Sequence, residues 1–242
     1  MQYQWDFAFL LRYAPLFWKG VLVTLSYTAG TIFLGLILGL VIGLGRLAPA
    51  SKMKLMSIPV MLWPLSSAFW LFPLQWLLIA FVETFRCTPL LVQIVWVYYA
   101  LPVVLGIQIP ATAAAIITLS CYTGAFYAEI FRGGIMSIER GQWDAARALG
   151  LRPWAMMRNV ILPQAVRRMI PPFVNQSITQ LKNTSLVSTI AVPDLLYNGQ
   201  LVTADTYRPL EVYTVVAIIY FALLFPSTML AQWYEKRLQK DR

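Results

Sequence analysis

Four stretches of this chain carry no charged side chain: Gly20–Gly45, Leu55–Val82, Cys87–Ala128 and Val212–Tyr234, of 26, 28, 42 and 23 residues. Roughly 20 residues of helix cross the hydrocarbon core of a bilayer, so every one of these runs is long enough to do so. Charged residues make up 12% of the chain and hydrophobic ones 59%, about half the charge of an ordinary soluble domain. These features exclude a water-soluble globule and describe a polytopic membrane protein. Backbone exposed to lipid must satisfy its own hydrogen bonds, and no ten-residue segments of alternating polarity suggest a barrel. The expected fold class is therefore all-α, a polytopic membrane helical bundle forming a single domain over residues 1–242.

The 42-residue run is too long for one helix, and Pro102 and Pro110 bracket a short uncharged turn within it. It is divided into spans at about 86–104 and 111–131. Further spans are expected at about 20–45, 169–191 and 211–234, about five transmembrane helices in all. Positive charge sets the orientation. Arg46, Lys52 and Lys54 follow the first span, seven arginines lie between Arg132 and Arg168, and Lys236, Arg237, Lys240 and Arg242 close the sequence. All three clusters belong inside, which puts the C-terminus in the cytoplasm and the N-terminus outside. An even number of crossings must then separate residue 54 from residue 132, and the pair 86–104 and 111–131 supplies them. Leu55–Val82 is accordingly expected not to span, with Pro59, Pro64 and Pro73 breaking it and Trp63, Trp70 and Trp76 suited to the interface. The aromatic N-terminal stretch has Asp6 before its first cation and no small-residue cleavage site, and reads as an interfacial segment rather than a removable signal peptide.

Reaction chemistry is poorly provided for. There is no histidine, and the two cysteines, Cys87 and Cys121, form neither a disulfide framework nor a metal-ligand spacing. The phosphate-cradling GxxxxGK[ST] loop is also missing from the sequence. The net charge of +9 sits beside apolar spans, so it points to membrane lipid and not to nucleic acid.

Segment 132–168 carries good helix formers from Gln142 to Leu149, a stop at Gly150, and a second helical stretch before Pro163. A cytoplasmic helix–turn–helix over about 136–162 is expected. Ala145, Ala146 and Gly150 are small enough to let a partner approach, with Asp144 and Arg147 offering polar contacts. A solvated basic loop that only fixes orientation fits the same composition.

The spacing Asp144-Ala145-Ala146, Gly150, Val160, Leu162-Pro163 resembles the cytoplasmic signature of ABC-importer permeases, which is Glu-Ala-Ala, three residues, Gly, nine residues, an aliphatic, one residue, Leu-Pro. The resemblance extends through ETFRCTPLLVQ (83–93), YAEIFRGGI (127–135), LPQAVRRMIPP (162–172), LKNTSLVSTI (181–190) and VPDLL (192–196). Over roughly residues 20–238 the chain resembles the polar amino-acid branch of that family. Asp144 stands where the family has glutamate, and about 53–80 resembles an insertion. The resemblance implies a type I ABC importer-like fold in a bacterial inner membrane, with cytoplasmic coupling helices. It also implies a second permease subunit, two ATP-binding subunits and an extracellular binding protein docking near 102–110 and 193–210. Asp144, Ala145, Ala146, Gly150, Leu162 and Pro163 would contact the ATPase. The chain itself would hold no cofactor, ATP and Mg being bound by the partner.

Polar residues within the spans mark a solute path. Asn175, Thr179 and Lys182 repeat at i, i+4, i+7, as do Gln176, Gln180 and Asn183, and Thr184 and Ser185 extend the face. Hydrogen bonds across a helix seam would use the same residue types. Lys182 favours a pathway, because cations inside a membrane are costly. Asn183, about ten residues into its span, is expected near the midplane. Glu129 and Arg86 are further pathway candidates, or interfacial charges paired with Arg132 and Glu83. Gly35, Gly39 and Gly43 suit close helix packing. A secondary transporter or channel, or a membrane scaffold, are the other classes compatible with such a helix, although five spans show neither an inverted repeat nor paired carboxylates for ion coupling.

Overall fold

The computed structural model describes residues 3–47 and 71–240. Among these residues the regular structure is helical, in agreement with the expected class. The helices are α1 (Leu10–Leu47), α2 (Leu71–Cys87), α3 (Leu90–Leu105), α4 (Ala111–Met136), α5 (Arg140–Ala148), α6 (Pro153–Met156), α7 (Leu162–Asn183), α8 (Leu195–Thr206) and α9 (Pro209–Lys240). Three of them, α1, α4 and α9, are long and apolar enough to cross a membrane, and α2 and α3 reach that length only as a pair. The apolar stretch of α4 is 56% buried, against 11% for α9, so α4 is the best enclosed of the three.

Several expected boundaries are corrected. The first helix starts at Leu10 rather than near residue 20 and tolerates Pro15 close to its beginning. The span expected from residue 86 starts instead at Leu90, because Pro89 adopts extended backbone (ψ 132°) and breaks the helix. Arg86 therefore belongs to α2, which ends at Cys87. Pro73 does not break its segment. It lies in the first turn of α2, where no intrahelical donor is required. Residues 55–70 of the segment expected not to span lie outside the described residues.

Two further differences concern segment 153–191. The stretch expected to stop before Pro163 continues through it, by way of a π-helical turn at Met157–Ile161, into α7. The wider turn lets the helix pass a residue that has no amide hydrogen. The span expected at 169–191 does not stay α-helical, since α7 ends at Asn183 and a 3₁₀ segment, Thr184–Ile190, follows. The hydroxyls of Thr184, Ser185, Ser188 and Thr189 donate to carbonyls three residues back at 2.7–2.8 Å. Such bonds compete with the helical ladder. Ala191 then takes a left-handed conformation (φ 59°) that ends the segment.

The chain forms two compact units. The first comprises Met1–Phe33, Pro89–Ser120 and Ser177–Arg242, the second Leu34–Thr88 and Cys121–Gln176. In the first unit Leu10, Phe17 and Val21 of α1 pack against Leu195 and Val202 of α8 and Val212 and Val216 of α9. A Cβ at Gly20 would lie 2.8 Å from the Leu195 Cα, so α8 approaches α1 backbone to backbone. The buried Asp194 caps α8 by accepting the Tyr197 amide at 2.8 Å, and its other oxygen accepts the Tyr220 hydroxyl at 3.3 Å. The Leu195 amide donates to the Thr24 hydroxyl oxygen at 3.1 Å. The exposed rings of Trp5 and Phe7 stack 5.7 Å apart, while Tyr3 donates to Glu211 at the start of α9.

The second unit is organised by a glycine seam. Cβ atoms added at Gly35, Gly39 and Gly43 would fall within 3.0 Å of Thr123, Tyr127, the Gly124 and Ala128 carbonyls, and Phe131. Their small size is what lets α1 and α4 approach this closely, as the sequence spacing predicts. Ile42, Val82, Ala125 and Ala128 fill the space beside the seam.

Candidate functional site

The expected coupling residues all fall within the second unit. Helix α5 holds Asp144, whose carboxylate is 3.3 Å from the Arg147 guanidinium, both of them well exposed. Ala145 is exposed, but Ala146 is buried with Ile135, Ile138, Met156 and Ile161. The small size of Ala146 therefore serves the contact of α5 with its own supporting core. Gly150 follows α5 at φ +68° in open space. Glycine is favoured there by the left-handed backbone and not by crowding.

Leu162 and Pro163 lie exposed at the start of α7. The neighbouring Gln164 donates to the Gln142 side chain at 3.1 Å and so ties α7 to α5. Asn159, Val160, Pro163, Gln164 and Arg167 line a groove on this face. Arg168 donates to the Ser137 carbonyl, and Gly134 lets the Met169 side chain lie against the α4 backbone. Helix α5 is thus held from behind by apolar packing and from the side by a hydrogen bond. Two residues that the sequence reading passed over project from the same region: Leu149, 78% exposed, and Trp154, 75% exposed. Large apolar side chains within a basic, charged segment were the available signal in the sequence.

Five of the expected pathway residues lie in the first unit, at the end of α7 and just beyond it. Gln180 is fully buried and donates from Nε2 to the Thr31 hydroxyl oxygen at 3.0 Å. Its Oε1, and Nδ2 of the half-buried Asn183, are buried with no hydrogen-bond partner within the chain. Thr184 is buried, Ser185 half-buried and Lys182 exposed. The structure therefore divides the expected polar face, turning Gln180 and Thr184 inward and Lys182 outward.

Glu129 and Arg86 lie in the second unit and are engaged within it. Glu129 on α4 receives Arg46 from α1 and Arg132 from its own helix, the latter at 2.8 Å. Arg86 is 3.6 Å from Glu83 and stands over the Phe126 ring at 5.8 Å. The pairs with Arg132 and Glu83 match the i, i+3 spacing of the sequence. The pair with Arg46 joins residues 83 positions apart, beyond the reach of any local pattern.

Helices of membrane-spanning length, a short exposed helix held by its own core and a polar helix interrupted by 3₁₀ turns fit a membrane transport subunit. The chain matches, over residues 61–240, the family described as binding-protein-dependent transport system inner membrane component, and it belongs to that family. It is 39% identical over 162 residues to the glutamine transport system permease protein of Escherichia coli K12, covering 66% of this chain and 74% of that one. It is 35% identical over 233 residues to the probable glutamine ABC transporter permease protein of Bacillus subtilis, covering 95% and 97%. A solved structure described as an amino acid ABC transporter with histidines superposes with a TM-score of 0.83 at 32% identity, covering 97% of this chain and all of that one.

Proposed function

We propose that this permease moves a polar amino acid across the bacterial inner membrane as one of two permease subunits, identical or related, driven by two separate ATP-binding subunits. The observation that carries the solute assignment is the pair of orphaned atoms at the end of α7. Gln180 Oε1 is an acceptor and Asn183 Nδ2 a donor, both buried and unpartnered within the chain. A buried polar atom left without a partner costs about 1–3 kcal/mol, which a solute bearing both kinds of group would relieve. An amino acid supplies them, its ammonium donating to Oε1 and its carboxylate accepting from Nδ2. Thr184 and Ser185 mark the point where the helix is interrupted, while Lys182, turned outward, lies off this face. Glu129 and Arg86 already spend their charge on partners within the chain, which leaves Gln180, Asn183, Thr184 and Ser185 of the first unit for the solute.

Coupling follows from the second unit. Asp144, Ala145, Gly150, Leu162 and Pro163 form the contact surface for the ATPase, and Ala146 anchors that surface from within. Closure of the ATPase pair around ATP and Mg, held in the partner chains, moves α5 as a rigid body and switches the spans between inward-open and outward-open states. An extracellular binding protein delivers the solute on the side of the N-terminus. The names of the relatives support a polar amino acid, and glutamine, named for several of them, is the natural probe.

The test is uptake of labelled glutamine by the reconstituted complex carrying Asn183→Leu, measured alongside the amount of complex recovered. Lost uptake with normal assembly fits a solute contact. Poor assembly fits a structural hydrogen bond, and normal uptake removes Asn183 from the site.

A further inference from the structure

The glycine seam between α1 and α4 ends in a charge cluster that neither solute binding nor ATPase docking uses. From Gly35 to Gly43, α1 lies against α4 with glycine on one side and backbone or Cβ atoms on the other. One turn beyond, Arg46 reaches Glu129, and the two side chains are only 11% and 16% exposed. Arg132, one turn further along α4, places Nε within 3.2–3.3 Å of both carboxylate oxygens and a terminal nitrogen 2.8 Å from one of them. Glu129 is thus fixed in orientation by its own helix and presents an oxygen across the seam to α1. A charge pair enclosed in this way contributes less to stability than to the choice of one register, because desolvation offsets much of the attraction while any slippage strands a buried charge. The end of α4 carrying Glu129 and Arg132 runs on into Ile135 and Ile138, which share one hydrophobic core with Ala146 of α5.

We propose that Glu129 is a positioning residue for coupling: by clamping Arg46, it makes the last turns of α1 move with α4 and the α5 helix as one body. This inference rests on the reading of α5 as the ATPase-driven helix. The seam alone does not fix register, since its small residues repeat every four positions and a one-turn slip would again place glycine at the interface. The charge pair has a single solution. Without it α4 and α5 still move, and α1 lags behind.

The experiment uses the whole complex in proteoliposomes with its binding protein, ATP, and glutamine as probe, and reads glutamine taken up per ATP hydrolysed. The unmodified complex is the control for the underlying reading: if it shows no ATP-linked uptake, that reading fails and the clamp is not at issue. With ATP-linked uptake present, Glu129→Gln and Arg46→Met are each expected to lower the ratio by at least about fivefold, the low end of typical coupling between sites. The double variant is expected to be no worse than either single one, because both remove the same pair. Joining Arg46→Cys to Glu129→Cys with a short bifunctional thiol reagent, in a chain otherwise lacking cysteine, should restore the ratio. Should the neutral variants fail to assemble, Arg46→Lys and Glu129→Asp keep the charges while weakening the geometry, and an intermediate loss is expected. An unchanged ratio in the single variants, or in the charge-preserving ones if those are used, would overturn the proposal. So would multiplying losses in the double variant, or an altered glutamine KM at an unchanged ratio, which would return Glu129 to the solute path. Failure of the cross-link to restore coupling would overturn it equally.

Discussion

Replacing Gly39 with alanine tests the seam at its tightest point. The added Cβ would lie 2.6 Å from the Tyr127 Cβ, 2.9 Å from the Gly124 carbonyl oxygen and 3.0 Å from the Ala128 amide nitrogen. None of these atoms can rotate away, since each is backbone or the first side-chain atom. The helices must part by roughly 1 Å to restore ordinary contact, and that loosens the neighbouring contacts of Gly35 and Gly43. Overpacking of this kind costs about 1–3 kcal/mol, from which the helix preference for alanine over glycine recovers about 0.5–1 kcal/mol. A net loss of about 1–2 kcal/mol is expected. Gly30 on α1 and Gly133 on α4 have nothing within 4 Å of such a Cβ, so alanine there should be neutral or slightly stabilising. The assay is thermal unfolding of the purified complex in detergent for all three variants. Equal stability of Gly39→Ala and Gly133→Ala would refute the close-packed seam.

Gly150 needs a left-handed backbone and has free space around it, so Gly150→Asn should retain most of the stimulated ATP hydrolysis while Gly150→Val loses it. Gly150→Arg places a large side chain on the proposed docking surface and should abolish that stimulation in a folded complex, as measured in reconstituted vesicles. Asp194→Ala removes the α8 cap and one partner of the Tyr220 hydroxyl, at a cost of about 1–2 kcal/mol. Asp194→Asn keeps an acceptor for the Tyr197 amide and should cost less, which the same unfolding assay would register.

Local pattern reveals some of these features and hides others. The glycines at 35, 39 and 43 were legible because a four-residue repeat places them on one face of a helix whatever packs against it. Gly150 was legible as a stop, since few residues accept its backbone. The interruption after Asn183 was not, because the apolar content of LVSTIAV (186–192) fits a continuing span and only the run of hydroxyls signals the competing bonds. Pro163 misled in the opposite direction: the helical stretch was expected before it, yet the helix continues through it into α7. Ala146 shows the limit of reading small residues as docking space, as it supports α5 from within. The pairing of Arg46 with Glu129 depends on how α1 and α4 align, which the sequence does not state.

Uptake of labelled glutamine by proteoliposomes holding the assembled complex tests the central claim most directly, with ATP inside, the binding protein outside, and a sodium or proton gradient as the alternative drive. Accumulation is expected with ATP and the binding protein together, and none with an ion gradient alone. Accumulation driven by an ion gradient without ATP would make this chain a secondary transporter and contradict the account.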